Sequence, residues 1–426
     1  MILGIFVATL AATLAIGVPV AFALLICAAM MGWALDLFDP QIISQQLVLG
    51  ANNFSLLAIP FFLLAGELMN AGGMSKRIIA FAIAFVGHLR GGLGIVAIFA
   101  AIILASLSGS AAADTAALIA IMLPMMRGSG HDEARSVGLL SAGGVIAPII
   151  PPSIAYIIFA VATNLSITKL FLAGIVPGVL MGLAAMAAWL VVARRDNVKP
   201  LPRQGWKDRL RETRRAIWSL GMPVIILGGI RFGIVTPTEA AVVAAVYAIF
   251  IGMVIHRELR IGDLFEVFRN AALTTAVVML LAAAALATAW FITIADLSGM
   301  VLELVGPLVE SPRLLLIVIM LIVLLVGTML DMGPTILILA PVLLPVVVEA
   351  GIDPIYFGVI FVVNTAIGLV TPPVGIVLSV ASGVSGVSLH RVARGAAPFL
   401  IAQVMVLVLL VAFPQIVLWP LEWLSR

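Results

Sequence analysis

Apolar residues in this chain come in long runs rather than in alternation. Leu314 to Leu325 is continuous aliphatic sequence with no period-two pattern, and charged residues gather in short segments between such runs. A helix needs ~20 apolar residues to cross the hydrocarbon of a bilayer. Backbone groups in lipid must be satisfied internally, which leaves helices or a closed barrel, and without alternation helices remain. The pattern predicts spans near 2–17, 19–35 and 54–70, a stretch at 92–126, and spans near 138–165 and 172–193. Further spans follow near 216–234, 237–255 and 271–295, then a stretch at 313–348, then spans near 355–387 and 396–422. Met1 to Gly17 lacks the basic start of a cleavable signal peptide and is expected to be the first span. Segments near 39–53 and 257–270 are amphipathic and are expected to lie along the interface as arms.

Composition agrees. Hydrophobic residues make up 63% and charged residues 10% of the 426 positions, and mean hydropathy is +1.27. A soluble domain is about half apolar and roughly a quarter charged, so lipid must solvate this exterior. The net charge of +3 gives no hint of nucleic acid, because the basic residues follow membrane topology. The single Cys27 excludes an internal disulfide. His88, His131, His256 and His390 sit beside charged residues at segment ends, at no spacing suited to zinc or haem, and there is no Walker-type nucleotide motif.

The basic segments define an orientation through the positive-inside rule. Arg194 to Arg215 is the richest in Lys and Arg and is placed in the cytoplasm with Lys76 to Arg90, Arg127 to Arg135, His256 to Arg269 and His390 to Arg394. Asp36 to Asp39 and Glu349 to Asp353 contain no Lys or Arg and are placed outside. Both flanks of 92–126 are then inside and both flanks of 313–348 outside, so each is a hairpin that enters and leaves on one face. On this count both termini are periplasmic.

The chain also repeats. One constant shift carries Pro124 onto Pro345, Pro151-Pro152 onto Pro372-Pro373, Gly174 onto Gly395 and Pro177 onto Pro398. A looser match pairs Gly17-Val18-Pro19 with Val235-Thr236-Pro237. The expected architecture is an all-α membrane protein of two repeats, 1–193 and 216–426, joined by the basic linker 194–215. Each repeat has about five crossings plus one re-entrant hairpin, and an odd count inverts the second copy, an arrangement found in transporters.

Polar chemistry within these spans is concentrated in a few places. Ser106-Leu107-Ser108-Gly109-Ser110, with Asp114-Thr115, forms the middle of the first hairpin. Hydroxyls and a glycine turn suit a tip whose oxygens face a small cation, although small residues also serve close packing. Asp114 has a second reading, as a cap of the hairpin's outgoing arm. Gly143-Gly144 through Pro148, Pro151-Pro152 and Ser153 cannot run as an unbroken helix, because each proline removes a donor. A break near mid-membrane exposes carbonyls for a cation and a helix N-terminus for an anion; a mere kink is the alternative. Its counterpart runs from Asn364 through Gly368, Thr371, Pro372 and Pro373 to Gly375, and the second tip contains Gly327, Thr328 and Asp331. Two tips facing two breaks predict two related ion sites with substrate between them. Ser110, Asp114, Thr115, Ser153, Asp331 and Pro373 are the candidate substrate residues. Glu67, Arg231 and Glu239 read as structural groups near span ends, and Trp206, Trp218, Trp419 and Trp423 as interfacial anchors.

These motifs, with Ala58-Ile59-Pro60-Phe61-Phe62 and Asp353-Pro354-Ile355-Tyr356-Phe357-Gly358, make the chain resemble the large permease subunits of tripartite ATP-independent periplasmic (TRAP) transporters along nearly its whole length. The resemblance implies a bacterial inner-membrane importer of small organic acids, driven by sodium and needing no cofactor. It implies two partners besides lipid: a periplasmic substrate-binding protein and a small membrane subunit of about four helices, expected as a separate chain because none is fused at the N-terminus. It also implies an elevator, with hairpins and broken helices moving against a fixed scaffold. Carried over by position, Ser106, Ser108 and Gly144 would bind one sodium and Thr328, Asn364, Gly368 and Thr371 another. The wording along the chain is most like members handling sugar acids such as 2,3-diketogulonate, with C4-dicarboxylates as the alternative. An ion antiporter of related hairpin design and an intramembrane aspartyl enzyme using Asp114 and Asp331 are the competing readings. A pure scaffold is disfavoured by the cost of broken helices.

Overall fold

A computed structural model describes the chain except for Arg90, residues 195–200 and Arg426; the side chains of residues 106–108 and Pro307 also lie outside the described set. Every regular element among the described residues is helical. The first half opens with α1 (Ile2–Ala15), α2 (Val20–Ala34), α3 (Pro40–Ala51), α4 (Ala58–Ala71) and α5 (Met74–Val86). It continues with α6 (Gly92–Ser108), α7 (Ala111–Gly128), α8 (Glu133–Gly144), α9 (Ile154–Thr163) and α10 (Ile167–Ala193). The second half has α11 (Trp206–Arg231), α12 (Pro237–Phe250), α13 (Ile261–Ile294), α14 (Leu297–Val309) and α15 (Pro312–Gly327). It ends with α16 (Met332–Glu349), α17 (Pro354–Gly368), α18 (Ile376–Ser385), α19 (Leu389–Ala412) and α20 (Gln415–Leu424). Among the described residues, seven helices, counting α4 and α12 with the short turns beside them, are long and apolar enough to cross a membrane alone. The shorter apolar helices include the arms of the paired stretches and the halves of the broken spans.

Local chemistry explains where these helices start and stop. Asp39, Asp132, Ser153 and Asp353 each accept a backbone N–H at a helix start, meeting donors that the first turn leaves open. At the head of α12, Thr236 and Glu239 form a reciprocal capping box, the structural role expected of Glu239. The turn between α6 and α7 needs a left-handed residue, and Gly109 supplies it at φ +62°.

Three expectations change. The segment 257–270 is no separate arm, because α13 runs unbroken from Ile261 to Ile294. The connecting helices are instead α5 and α14, which fall at matching places in the two halves. Lys76 and Arg77 make the first look like a loop, and 297–309 is too short for a helix that crosses a bilayer alone. Residues 206–215 of the linker belong to α11, while 195–200 lie outside the described residues.

The broken helices form the centre. In α17 every residue from Ile355 to Gly368 is buried, and in α8 every residue from Ser136 to Gly144. Each is gripped by the other half of the chain: α8 packs on α19, and α17 on α10. Around this core α2, α4, α12 and α13 pack together, with Thr288 Oγ1 of α13 donating to the Leu24 carbonyl at 2.9 Å.

The α8–α19 contact is backbone against backbone. A methyl group on Gly138 would overlap Gly395 and the nitrogen of Ala396. Gly138→Ala should therefore destabilise the protein by about 1–3 kcal/mol. Gly383→Ala, placed where nothing lies within 4 Å, should not. Melting of the two detergent-purified variants compares them; equal melting temperatures would mean that this contact does not constrain the packing.

Candidate functional site

Both paired stretches are helical hairpins whose tips rest on the breaks. Gly109 at the first tip approaches Ser153 and the Pro152 carbonyl so closely that an added Cβ would lie 3.3 Å from that oxygen. At the second, the Gly375 N–H donates to the Thr328 carbonyl at 3.3 Å, and a Cβ on Gly368 would come within 2.7 Å of the Gly327 backbone. Gly368 is thus required by proximity to the tip. Pro151-Pro152 and Pro372-Pro373 are both cis.

A cavity of about 500 Å³ lies between the tips, the breaks and a wall made by the start of α2 and the middle of α13. Ser110 and Asp331, the N-caps of α7 and α16, both line it, so the structure brings together two candidates far apart in sequence. Ile154 and Ile376, the first residues of α9 and α18, also reach it. With the start of α2 (Pro19, Val20), five helix N-termini therefore border one space, each carrying partial positive charge on N–H groups not used within the helix. Among the described lining residues Asp331 is the one ionisable side chain, and there is no Lys, Arg or His. Its carboxylate accepts from the Met332 N–H at 2.8 Å.

The other substrate candidates lie elsewhere. Ser153 is buried; its hydroxyl donates to the Pro148 carbonyl at 2.5 Å and accepts from the Tyr156 N–H at 3.4 Å, tying off the break. Pro373 is exposed within the second break but does not line the cavity. Asp114 is buried in the first turn of α7, where Ser110 rather than Asp114 is the cap. Asp114 and Asp331 therefore do not share the cavity as an aspartyl pair would. Thr115 faces Gly144, with no room for a Cβ on that glycine.

Two of these oxygens are open. Thr115 Oγ1 is buried, with no hydrogen-bond partner among the described residues. Asn364 Nδ2 donates to the Met320 carbonyl at 2.6 Å, and because a carbonyl only accepts, the amide orientation is fixed. That leaves Asn364 Oδ1 buried and, among the described residues, without a partner. Thr328 and Thr371, by contrast, spend their hydroxyl protons within their own helical turns, on Leu325 and Ile367 at 2.8 and 2.7 Å, which leaves their lone pairs for a cation. Ser106 and Ser108 are the last-turn residues of α6, and their side chains lie outside the described residues.

Sequence reasoning missed the cavity's outer wall, where Val20, Phe22, Val277 and Leu281 stand with Thr274. Apolar residues in an apolar helix carry no signal of their own. Pro19, matched to Pro237 by the looser repeat, was the nearest clue.

A buried hydroxyl with no partner costs stability. Thr115→Val should raise stability in sodium-free buffer by about 1 kcal/mol, seen as a higher melting temperature. A lower melting temperature would mean that this hydroxyl is bonded within the protein.

Comparison with known proteins identifies the class. Residues 7–416 match the family described as the tripartite ATP-independent periplasmic transporter, DctM component. The chain is 53% identical over 425 residues to the 2,3-diketo-L-gulonate TRAP transporter large permease protein YiaN of Escherichia coli (strain K12), covering 99% of each chain. It is 40% identical over 392 residues to the C4-dicarboxylate TRAP transporter large permease protein DctM of Pseudomonas aeruginosa, covering 91% of this chain and 92% of that one. Its fold is similar to that of the Alcanivorax borkumensis YdaH transporter, with a TM-score of 0.67 at 15% identity, covering 94% of this chain and 98% of that one. The hairpins, the breaks and these matches lead to one conclusion: the chain belongs to the TRAP transporter family as a DctM-type large permease, a multi-pass membrane transporter component and not an enzyme.

Proposed function

We propose that this permease imports a small organic acid, with a sugar acid ahead of a C4-dicarboxylate, by symport with sodium. The observation that carries the proposal is the cavity of about 500 Å³ bordered by five helix N-termini and having, among its described lining residues, no cationic side chain. A carboxylate there is met by aligned backbone dipoles. Asp331 on the second hairpin tip repels a second carboxylate but accepts hydrogen bonds from hydroxyl groups, which favours a polyhydroxy acid. The greater similarity to a 2,3-diketo-L-gulonate permease than to a C4-dicarboxylate permease points the same way.

Sodium is assigned to the two places where tip meets break. Gly144 and Thr115, with Ser106 and Ser108 of the same hairpin, form the first; Thr328, Asn364, Gly368 and Thr371 form the second. The open oxygens Thr115 Oγ1 and Asn364 Oδ1 support one cation each. Substrate arrives on a periplasmic binding protein, and a small membrane subunit braces the scaffold, as the family assignment suggests. The two halves act as inverted repeats in a bacterial inner membrane with both termini periplasmic. The tips, breaks and their flanking helices move together past α2 and α13 as an elevator.

Uptake of a labelled sugar acid into proteoliposomes holding this chain and its small partner should require both the binding protein and an inward sodium gradient. Sodium-independent uptake would favour ion exchange by another route. In the same assay Asn364→Leu should raise the sodium concentration for half-maximal uptake at least about tenfold, a loss of ~1.4 kcal/mol. An unchanged sodium dependence would remove Asn364 from the ion site.

A further inference from the structure

α8 ends at Gly144 just before the first break, so its last carbonyls must find partners outside the regular helix. The turn that follows meets most of them. Val145 N–H bonds Ser141, Ile146 N–H bonds Gly143, and Ala147 N–H bonds Gly144, at 3.3, 3.1 and 3.1 Å. This tightening skips Ala142. Its carbonyl is met from the other half of the chain by Gln403 of α19, whose Nε2 donates at 2.8 Å. The carbonyl can only accept, so the carboxamide orientation is settled, and Gln403 Oε1 is left buried without a partner among the described residues.

Gln403 is 0% exposed and lies well inside a membrane-crossing helix. An amide is a costly group to bury there unless its position matters. Gly395 and Gln403 stand on one face of α19 two turns apart, the first against Gly138 and the second against Ala142. The two residues after Ala142 are wedged between both arms of the first hairpin. Gly143 faces Ile98 and Ala101 of α6, and Gly144 faces Ala111 and Thr115 of α7. A rotation of the Ala142 peptide would pass directly into Gly143 and Gly144, and so into the place where Thr115 Oγ1 is open. The shift that relates the two halves takes Gln403 onto Gly182, which has no side chain to donate, so this device belongs to the first site alone.

From this geometry we infer that Gln403 is a positioning residue for the first sodium site. Its hydrogen bond to Ala142 holds the Gly143–Gly144 backbone at the angle that a cation beside Thr115 requires. The inference rests on the sodium assignment made above. It also makes the first site answer to α19 of the second half, so that a cation bound in one half stiffens the contact between halves.

The test is sodium binding to the purified chain, read as sodium-dependent thermal stabilisation and as competition for radiolabelled sodium. Measurements compare the wild type with Gln403→Met, which keeps the volume and removes the donor. The expected result is a sodium affinity weakened about fivefold at one class of site, matching loss of one neutral hydrogen bond, with the second class unchanged. A purely structural role predicts a lower sodium-free melting temperature with unaltered sodium affinity, and that result would overturn the inference while leaving the sodium assignment intact. If the wild type binds no sodium, the assignment fails and the inference fails with it. A measurement on the wild type covers the case in which Gln403→Met does not fold. Sodium should slow amide hydrogen exchange both in 141–147 and around 399–407; slowing confined to the first segment would also overturn the coupling.

Discussion

A peptide group in a membrane has no water to fall back on, and the architecture follows from that constraint. Two spans are broken near their middles by prolines, and each break strands carbonyls and N–H groups that an intact helix would have used. The two halves solve the problem differently. The first break is tied off by turns and by side chains: Ser153 bonds the Pro148 carbonyl and Gln403 bonds Ala142. The second is closed more by backbone, with Val377 N–H reaching the Leu369 carbonyl at 3.0 Å and Gly375 N–H reaching Thr328 on the hairpin tip. Hairpins are therefore part of the breaks' hydrogen bonding as well as of the cavity. A tip that withdrew from the second break would leave a donor unmet.

The same economy of polar groups shapes the cavity. Arginine would bind a carboxylate more strongly than a helix end does, but an arginine at this depth is expensive while no substrate is present. Helix N-termini provide positive potential from groups already in place and add no formal charge when the cavity empties. The one ionisable side chain among the described lining residues is Asp331, an acid rather than a base. In the proposed function its use is discrimination rather than attraction.

Much of the fold was legible because prolines and charges mark what lipid forbids. The breaks at 145–153 and 369–375 announced themselves through Pro148, Pro151-Pro152 and Pro372-Pro373, and the hairpins through basic or acidic flanks. The short helices α5 and α14 were not legible, since neither is long enough to cross and Lys76 and Arg77 look like loop chemistry. At the site, Ser110 and Asp331 were read as polar residues of the two hairpin tips, and they lie in one cavity. Ser153 was expected to bind substrate, and the geometry shows its hydroxyl spent on Pro148. Gln403 escaped notice because its partner is a main-chain carbonyl in the other half, which no local pattern can name.

The outer wall of the cavity bears on the proposed motion. Val20, Phe22, Val277 and Leu281 present methyl and ring surfaces, and Thr274 is the one hydroxyl among the wall residues from α2 and α13. A wall of hydrogen bonds would hold the tips in one place, because each bond broken during a slide leaves a group unmet in a medium that cannot replace it. An apolar wall has no such registry. Dispersion attraction given up at one height is recovered at the next, so the barrier to sliding stays low while lipid and water remain excluded. Apart from Thr274, the polar side chains lining the cavity are on the side proposed to move, and the side chains of the wall against it are apolar. Carrying substrate past a fixed surface requires that distribution.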